Sequence, residues 1–506
     1  MNKLLSRSQA NRYTIPAFQQ GYRDGGIEMM ILGRFARKCF GGIVVLALAS
    51  TTCVYTLGQG KSGPVDPGVR GGPAGAGTAL KGLTADETAF FLDGQARFAE
   101  IEVVSKGANN GLGPRFNSNQ CFSCHSQPDE GGSSPAKNPM PAVAHLNGAK
   151  NTVPWFITPD GPIREARFKE SNGAADGSVH DLFVITGRSD APGCNIAQYD
   201  FLPAGDPLTG QGGNANVIFR IPTPVFGAGL IEAIPDSAIL ANMRADASLK
   251  SGLGISGHPN AHLSGNVNRS ANDGTITRFG WKAQNKSLLM FAGEAYNVEM
   301  GISNQLFPQE RDETPGCLFI PTPNDTLNFT TTPATGTSSG ISNPAVISDI
   351  EAFADFMRML APPTPAPATP ETENGRVAFA KIGCVHCHTP SFTTGAMIAS
   401  GSSTTPSAAV SHQTANLYSD LLLHHMGKGL ADGITQGAAG PDEFRTAPLW
   451  GVGQRIFFLH DGRTSNLLDA IREHKSPGSE ANKVVEHFHK LHARDQQAIL
   501  DFLRSL

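Results

Sequence analysis

Apolar positions recur at helical spacing in four stretches of the chain. Thr84-Ala85-Asp86-Glu87 is a capping box, and the Phe90, Phe91, Phe98 and Ile101 that follow fit one face of a helix. Ser348 to Leu360 turns Ile350, Phe353, Phe356, Met357 and Leu360 inward and stops at Ala361-Pro362-Pro363-Thr364-Pro365, because proline lacks the N–H a continuing helix needs. A third helix is expected over 372–382. A fourth, over 495–506, carries Ile499, Phe502, Leu503 and Leu506 as one stripe. Between 150 and 345 the pattern breaks into Gly, Asn and Pro with short apolar runs such as Val217-Ile218-Phe219 and Leu318-Phe319-Ile320, which predicts loops, short strands and a few helices. Residues 58–82 are rich in Gly and Pro and read as a linker, with order beginning at Leu83. The proline run after Leu360 is the best domain boundary, and a hinge.

The apolar run Phe40 to Ala49 is of another kind. Arg34, Arg37 and Lys38 precede it and Ala47-Leu48-Ala49 closes it, the layout of an export signal. Translation starting at Met29 or Met30, or an unstructured extension before them, accounts for the residues upstream. A lipid anchor at Cys53 lacks the leucine expected three positions earlier, and the run is short for an uncleaved membrane anchor. Release into the periplasm is therefore expected, with anchoring through the N-terminal segment as the alternative. A formal charge of −4 with 17% charged residues gives no footprint for nucleic acid or an anionic membrane. The 57 Gly and 35 Pro in 506 residues point to long ordered loops.

Two pentapeptides carry the chemistry, Cys121-Phe122-Ser123-Cys124-His125 and Cys384-Val385-His386-Cys387-His388. Cys-x-x-Cys-His is the haem-attachment pattern: two thiols add to the porphyrin vinyl groups and the adjacent His binds iron. A zinc ribbon wants its Cys pairs roughly 15 to 20 residues apart, and a redox dithiol needs no trailing His. Two covalently bound c-type haems are the expectation. The fold class expected is mainly α with long loops: two cytochrome c-like haem domains, with a large loop-rich insertion containing short β-strands. Residues 1–57 form the extension and signal or anchor, 58–82 the linker, 83–360 the first haem domain with the insertion, and 361–506 the second. A weak repeat accompanies the motifs, since Phe116 and Phe379 each lie five residues before the first Cys, and Pro128 and Pro390 follow within three of the His. Cys194 and Cys317 each end a Pro-Gly-Cys turn and pair as one disulfide in an oxidising compartment, or stay two separate buried thiols.

Several further segments resemble the bacterial diheme cytochrome c peroxidase superfamily that includes MauG, and in particular its branch of diheme oxidoreductases, some called thiol oxidoreductases. They are Gly111-Leu112-Gly113-Pro114-Arg115-Phe116, Gly229-Leu230-Ile231-Glu232-Ala233-Ile234-Pro235, Arg278-Phe279-Gly280-Trp281-Lys282 and Val298-Glu299-Met300-Gly301. Leu421 to Gly427, Arg445 to Gly451 and Phe458 to Arg463 continue the series. The resemblance implies that Glu299 stands over the open face of the haem on His125 and handles protons. Where many relatives carry Gln nine or ten residues earlier, this chain has Leu289 and Met290, which implies a drier pocket. The resemblance also places the sixth ligand of the second iron three residues after Asp469-Ala470-Ile471, at His474, with Met426 as the alternative. His145 is a weaker candidate to cap the first iron. His424 and His460 are expected to hold propionates, loops or an interdomain metal such as calcium. Arg445 suits a propionate, and Trp281 and Trp450 fall near the haems or in the core.

The implied activity is that of a periplasmic diheme oxidoreductase of cytochrome c peroxidase type. It would reduce hydrogen peroxide with electrons passed through the second haem from a small donor protein, a cytochrome or a cupredoxin. Two rivals remain: a pure electron-transfer diheme cytochrome, and a MauG-like enzyme that modifies a partner protein or acts as an oxygenase. A thiol-oxidase role finds no dithiol once the haem cysteines are assigned.

Overall fold

The computed structural model describes residues 63–201, 216–261, 276–327, 344–400 and 405–506, which belong to one compact unit that starts at Lys61. The export segment with Cys39 and Cys53 lies outside the described residues. Helices dominate and every strand is two to four residues long. Among the described residues no helix is long and apolar enough to cross a membrane.

Two helix crossings organise the two hydrophobic cores. Helix α1 (Ala85–Phe98) starts at the Thr84 capping box and buries Phe90, Phe91 and Phe98, while Ile101 lies beyond its end and is exposed. Further helices are α2 (Leu288–Met300), α3 (Asp349–Met359, capped by Ser348 and Glu351), α4 (Pro370–Ile382), α5 (Leu467–Glu473) and α6 (Ala493–Ser505). Helix α4 begins two residues earlier than the pattern predicts, because Thr369 caps it and Pro370 fits its first turn. Helix α1 crosses α3 and α4 crosses α6, each time through a glycine on a backbone. A Cβ on Gly94 would stand 2.2 Å from the Ala352 carbonyl oxygen and 2.9 Å from Phe356 Cβ. A Cβ on Gly375 would stand 1.8 Å from the Ala498 carbonyl oxygen and 2.8 Å from Phe502 Cβ. One turn past each glycine a phenylalanine meets the motif histidine: Phe98 to His125 at 6.0 Å between centroids, Phe379 to His388 at 6.1 Å. The internal repeat is therefore Gly-x3-Phe crossing Ala-x3-Phe. The pairing of Phe116 with Phe379 does not hold, since Phe116 sits on a two-residue strand beside Phe183.

The insertion supplies a three-stranded antiparallel sheet, order β2-β1-β3, from β1 (Glu165–Phe168), β2 (Val179–His180) and β3 (Val217–Arg220). Val217-Ile218-Phe219 is thus a strand, whereas Leu318-Phe319-Ile320 is irregular and Leu318 is partly exposed. Cys194 and Cys317 form a disulfide that closes much of the insertion.

Residues 63–82 are bound rather than free. Arg70 N–H donates to the Gly453 carbonyl and Leu80 N–H to Met359. Asp66 pairs with Arg504 at 2.7 Å, both side chains buried, and accepts from Leu467 N–H at the start of α5. The same segment takes Ala361 and Thr364 N–H on the carbonyls of Thr78 and Gly75, so the proline run is pinned. A Gly/Pro composition reads as linker because the pattern carries no trace of backbone bonds to residues hundreds of positions away.

Gly375→Ala should cost about 1–3 kcal/mol by forcing α4 off α6. Chemical denaturation monitored at the second core checks this, and an unchanged midpoint would contradict the crossing.

Candidate functional site

Two cavities open into the protein, with volumes of about 170 and 230 Å³. His125 faces the first and His388 the second. Gly383, in the left-handed region as the C-cap of α4, turns the chain directly into Cys384. Both motif histidines are held alike. His125 Nδ1 donates to the Gly132 carbonyl at 3.0 Å and His388 Nδ1 to Tyr418 at 3.0 Å. Burial pushes each ring down to about 4, so each is neutral with Nε2 left as a donor of its lone pair. The four motif thiols line the same cavities, and burial pushes Cys124 to about 11 and Cys384 to about 12, far from the thiolate a redox dithiol needs.

The second cavity offers another imidazole. Helix α5 ends at His474, whose Nδ1 donates to the Ala470 carbonyl at 2.7 Å, again leaving Nε2 free. His474 and His388 line the same cavity, and besides burial His474 depresses His388. Met426 lines the same cavity. His424 is committed elsewhere, buried between Asp420 at 3.0 Å and Glu480 at 2.7 Å. Among the described residues the one three-member cluster of His, Cys, Asp or Glu with metal-ligand spacing is Cys387, Asp420 and His424, which lacks the oxygen-rich shell calcium takes. His425 is half exposed on Asp442 and Glu443. His460 stacks on Phe444 at 4.3 Å. Arg445 and Arg455 both line this cavity, and burial pushes each down to about 10, Arg445 also through Arg455.

The first cavity has a different chemistry. Among the described residues His125 is the one histidine that lines it, and His145 is exposed at the end of a short helix and is not in its lining. Glu299 comes from the last turn of α2, where Gly301 takes the left-handed turn that packs under Gly113; a Cβ on Gly113 would stand 2.2 Å from the Gly301 carbonyl oxygen. The backbone N–H groups of Asn117 and Ser118 donate to the Glu299 carbonyl, and Asn117 Nδ2 donates to Glu299 Oε2 at 2.8 Å. The Gly111–Phe116 and Glu299–Gly301 segments are thus two sides of one joint. Glu165, on β1, hydrogen-bonds Glu299 and accepts from Arg167 Nε at 2.6 Å. Burial first, then Glu165, holds the Glu299 carboxyl well above the carboxylate range. Burial also raises Glu165, but Arg167 and Arg220 outweigh it and keep it ionised.

Glu165, Arg167, Asn117 and Gln284 are residues that sequence reasoning missed. The signal for the first two was Arg164-Glu165-Ala166-Arg167, which places Glu165 and Arg167 on one face of a strand. Neither Leu289 nor Met290 lines the cavity, whereas Gln284, Glu294, Arg164 and Arg167 do.

Trp281 borders both cavities. Its Nε1 donates to the Ile221 carbonyl at 2.9 Å and its ring meets His460. The neighbouring Arg278 clamps the carbonyls of Ile231 and Ile234 together with Asp236, which joins the Arg278–Lys282 and Gly229–Pro235 segments. Trp450 lines a smaller cavity beside them.

A family model described as "Di-haem oxidoreductase, putative peroxidase" matches residues 212–506, more than half of the chain. The chain belongs to this diheme oxidoreductase family. The match includes Glu299, His388 and His474, while Cys121 to His125 lie upstream of it. Solved structures similar to parts of the chain include hydrazine synthase of Kuenenia stuttgartiensis, at 21% identity and TM-score 0.20 over 31% of this chain and 55% of that one. A MauG-like protein associated with microbial copper homeostasis is 19% identical, TM-score 0.21, over 34% and 55%. The diheme peroxidase BthA from Burkholderia thailandensis E264 is 16% identical, TM-score 0.26, over 45% and 65%. The chain therefore spans less than two thirds of the length of each. No curated protein matches.

Haem is the family's cofactor, and the donor set here fits it. Three imidazoles with Nδ1 fixed on a carbonyl present Nε2 as metal-bound histidines do. Arg445 and Arg455 supply buried positive charge that suits propionates.

Proposed function

We propose that the chain is an exported diheme c-type oxidoreductase that reduces hydrogen peroxide. Cys121, Cys124 and His125 would hold one haem, and Cys384, Cys387 and His388 the other. When bound, haem supplies the electron transfer and the cleavage of the peroxide bond. The observation that carries the reading is the contrast between the cavities: a second imidazole, His474, beside His388, against a carboxyl, Glu299, in the cavity of His125.

The residues divide the work. Reduction of H2O2 to two waters consumes two electrons and two protons. Glu299 holds a proton where peroxide would sit, and Asn117 fixes its Oε2. His474, with Met426 as the alternative, would hold the second haem together with His388, which would close that site to substrate and lower its potential relative to a His/Met pair. Trp281 gives electrons an aromatic path between the sites. The donor is a small protein, a cytochrome or a cupredoxin, serving the His388 side. The Cys194–Cys317 disulfide and the thioether chemistry both support the periplasm.

Glu299→Gln should retain both haems and slow peroxide turnover by a factor on the order of 10² or more; unchanged turnover removes Glu299 from the reaction. His474→Met should raise the potential of the His388 haem alone in a redox titration. An unaltered potential would assign the ligand to Met426.

A further inference from the structure

We infer that the proton in the first cavity is held by a hydrogen-bonded carboxyl pair, in which Glu165 is the positioning residue that keeps Glu299 protonated. The inference rests on the peroxidase reading for its consequence, though not for its test. Glu165 and Glu299 come from two elements that line the cavity, β1 and the end of α2, and meet by a side-chain hydrogen bond. Two buried carboxyls can share such a bond only if one carries the proton, since two charges there would repel in a poorly solvated site.

The surroundings decide which one. Arg167 Nε lies 2.6 Å from Glu165 Oε1, and Arg220 stands opposite Glu165 across the β1–β3 ladder. Glu299 receives a single amide bond, from Asn117. Negative charge therefore settles on Glu165 and the proton on Glu299. The other charged or titratable groups facing the pair are Arg164 on the same segment, Glu294 on α2, and His125, Cys121 and Cys124 across the cavity. Arg220 is itself tied to Asp432 at 2.8 Å and Gln436 at 2.6 Å, and this anchors the cationic wall.

The pair changes how the proton is used. Glu299 begins protonated, so it gives its hydrogen to the departing oxygen as the O–O bond breaks, and that oxygen leaves as water. The two electrons come from the donor protein. The vacated Glu299 carboxylate then lies against the Glu165 carboxylate, a repulsion that draws a proton back from solvent and readies the second protonation. Glu165 never touches peroxide. Its charge makes Glu299 an acid at neutral pH rather than a base.

Infrared difference spectroscopy of the holoprotein across a pH titration tests this without turnover. Burial also raises Glu102, Glu310 and Asp325 toward neutrality, so the wild type should show several carboxylic-acid bands, of which one is absent from Glu299→Gln. In Glu165→Gln the like charge is gone while Arg167 and Arg220 remain, so Glu299 should ionise at a pH lower by on the order of one unit or more. Glu165→Asp should restore much of the wild-type titration. The basic limb of peroxide turnover should move with the band. A band that titrates alike in wild type and Glu165→Gln would overturn the inference. So would a Glu299→Gln spectrum that keeps every wild-type carboxylic-acid band, a comparison that needs no Glu165 variant to fold. Absence of peroxide turnover with the band behaving as described would instead contradict the peroxidase reading and leave the shared proton standing.

Discussion

An imidazole presents one nitrogen to a metal reliably only when its other nitrogen is satisfied by the protein, and that constraint governs this molecule. His125, His388 and His474 each spend Nδ1 on a backbone carbonyl, of Gly132, Tyr418 and Ala470. Each carbonyl is placed by a different device: the loop that follows the first motif, the loop some thirty residues after the second, and the last turn of a helix. The crossings of α1 with α3 and of α4 with α6 then bring Phe98 and Phe379 against the first two rings. The duplicated architecture is thus a way of fixing two imidazoles identically.

What differs is the opposite wall. In one half, α5 delivers an imidazole. In the other, α2 ends in a carboxyl and the inserted sheet brings a second carboxyl with its arginine. Burying an ionised Glu165 is tolerable because Arg167 bonds it directly and Arg220 adds positive charge. The insertion between residues 150 and 345 therefore supplies both carboxyls of the pair and the arginines beside them. Trp281, in the joint held by Arg278, Ile221 and Lys282, is among the described residues the one aromatic that lines both cavities.

Much of this was legible in the residues. The two Cys-x-x-Cys-His motifs, the capping boxes at Thr84 and Ser348, the stripe of the terminal helix and the partnership of Cys194 with Cys317 are local or compositional signals, and the structure carries each. The placing of Glu299 and His474 came from resemblance, and each lines the cavity of a different motif histidine. Glu165 escaped because a charged residue alternating in a short strand reads as solvent-facing, and only tertiary placement shows that its face looks into a cavity. The bound strap at 63–82 escaped for a similar reason: Asp66 meets Arg504 438 residues away, and no periodic pattern encodes that pairing. The true repeat was hidden because its glycines matter through what lies across them.

On the proposed function the two haem sites would be unequal, since His474 shares the cavity of His388 while the carboxyl pair shares that of His125. Low-temperature electron paramagnetic resonance of the ferric holoprotein at neutral pH measures this directly. The account predicts one low-spin signal of bis-imidazole type together with one high-spin signal in equal amount. Two low-spin signals, persisting after partial reduction, would contradict it and make the protein an electron carrier.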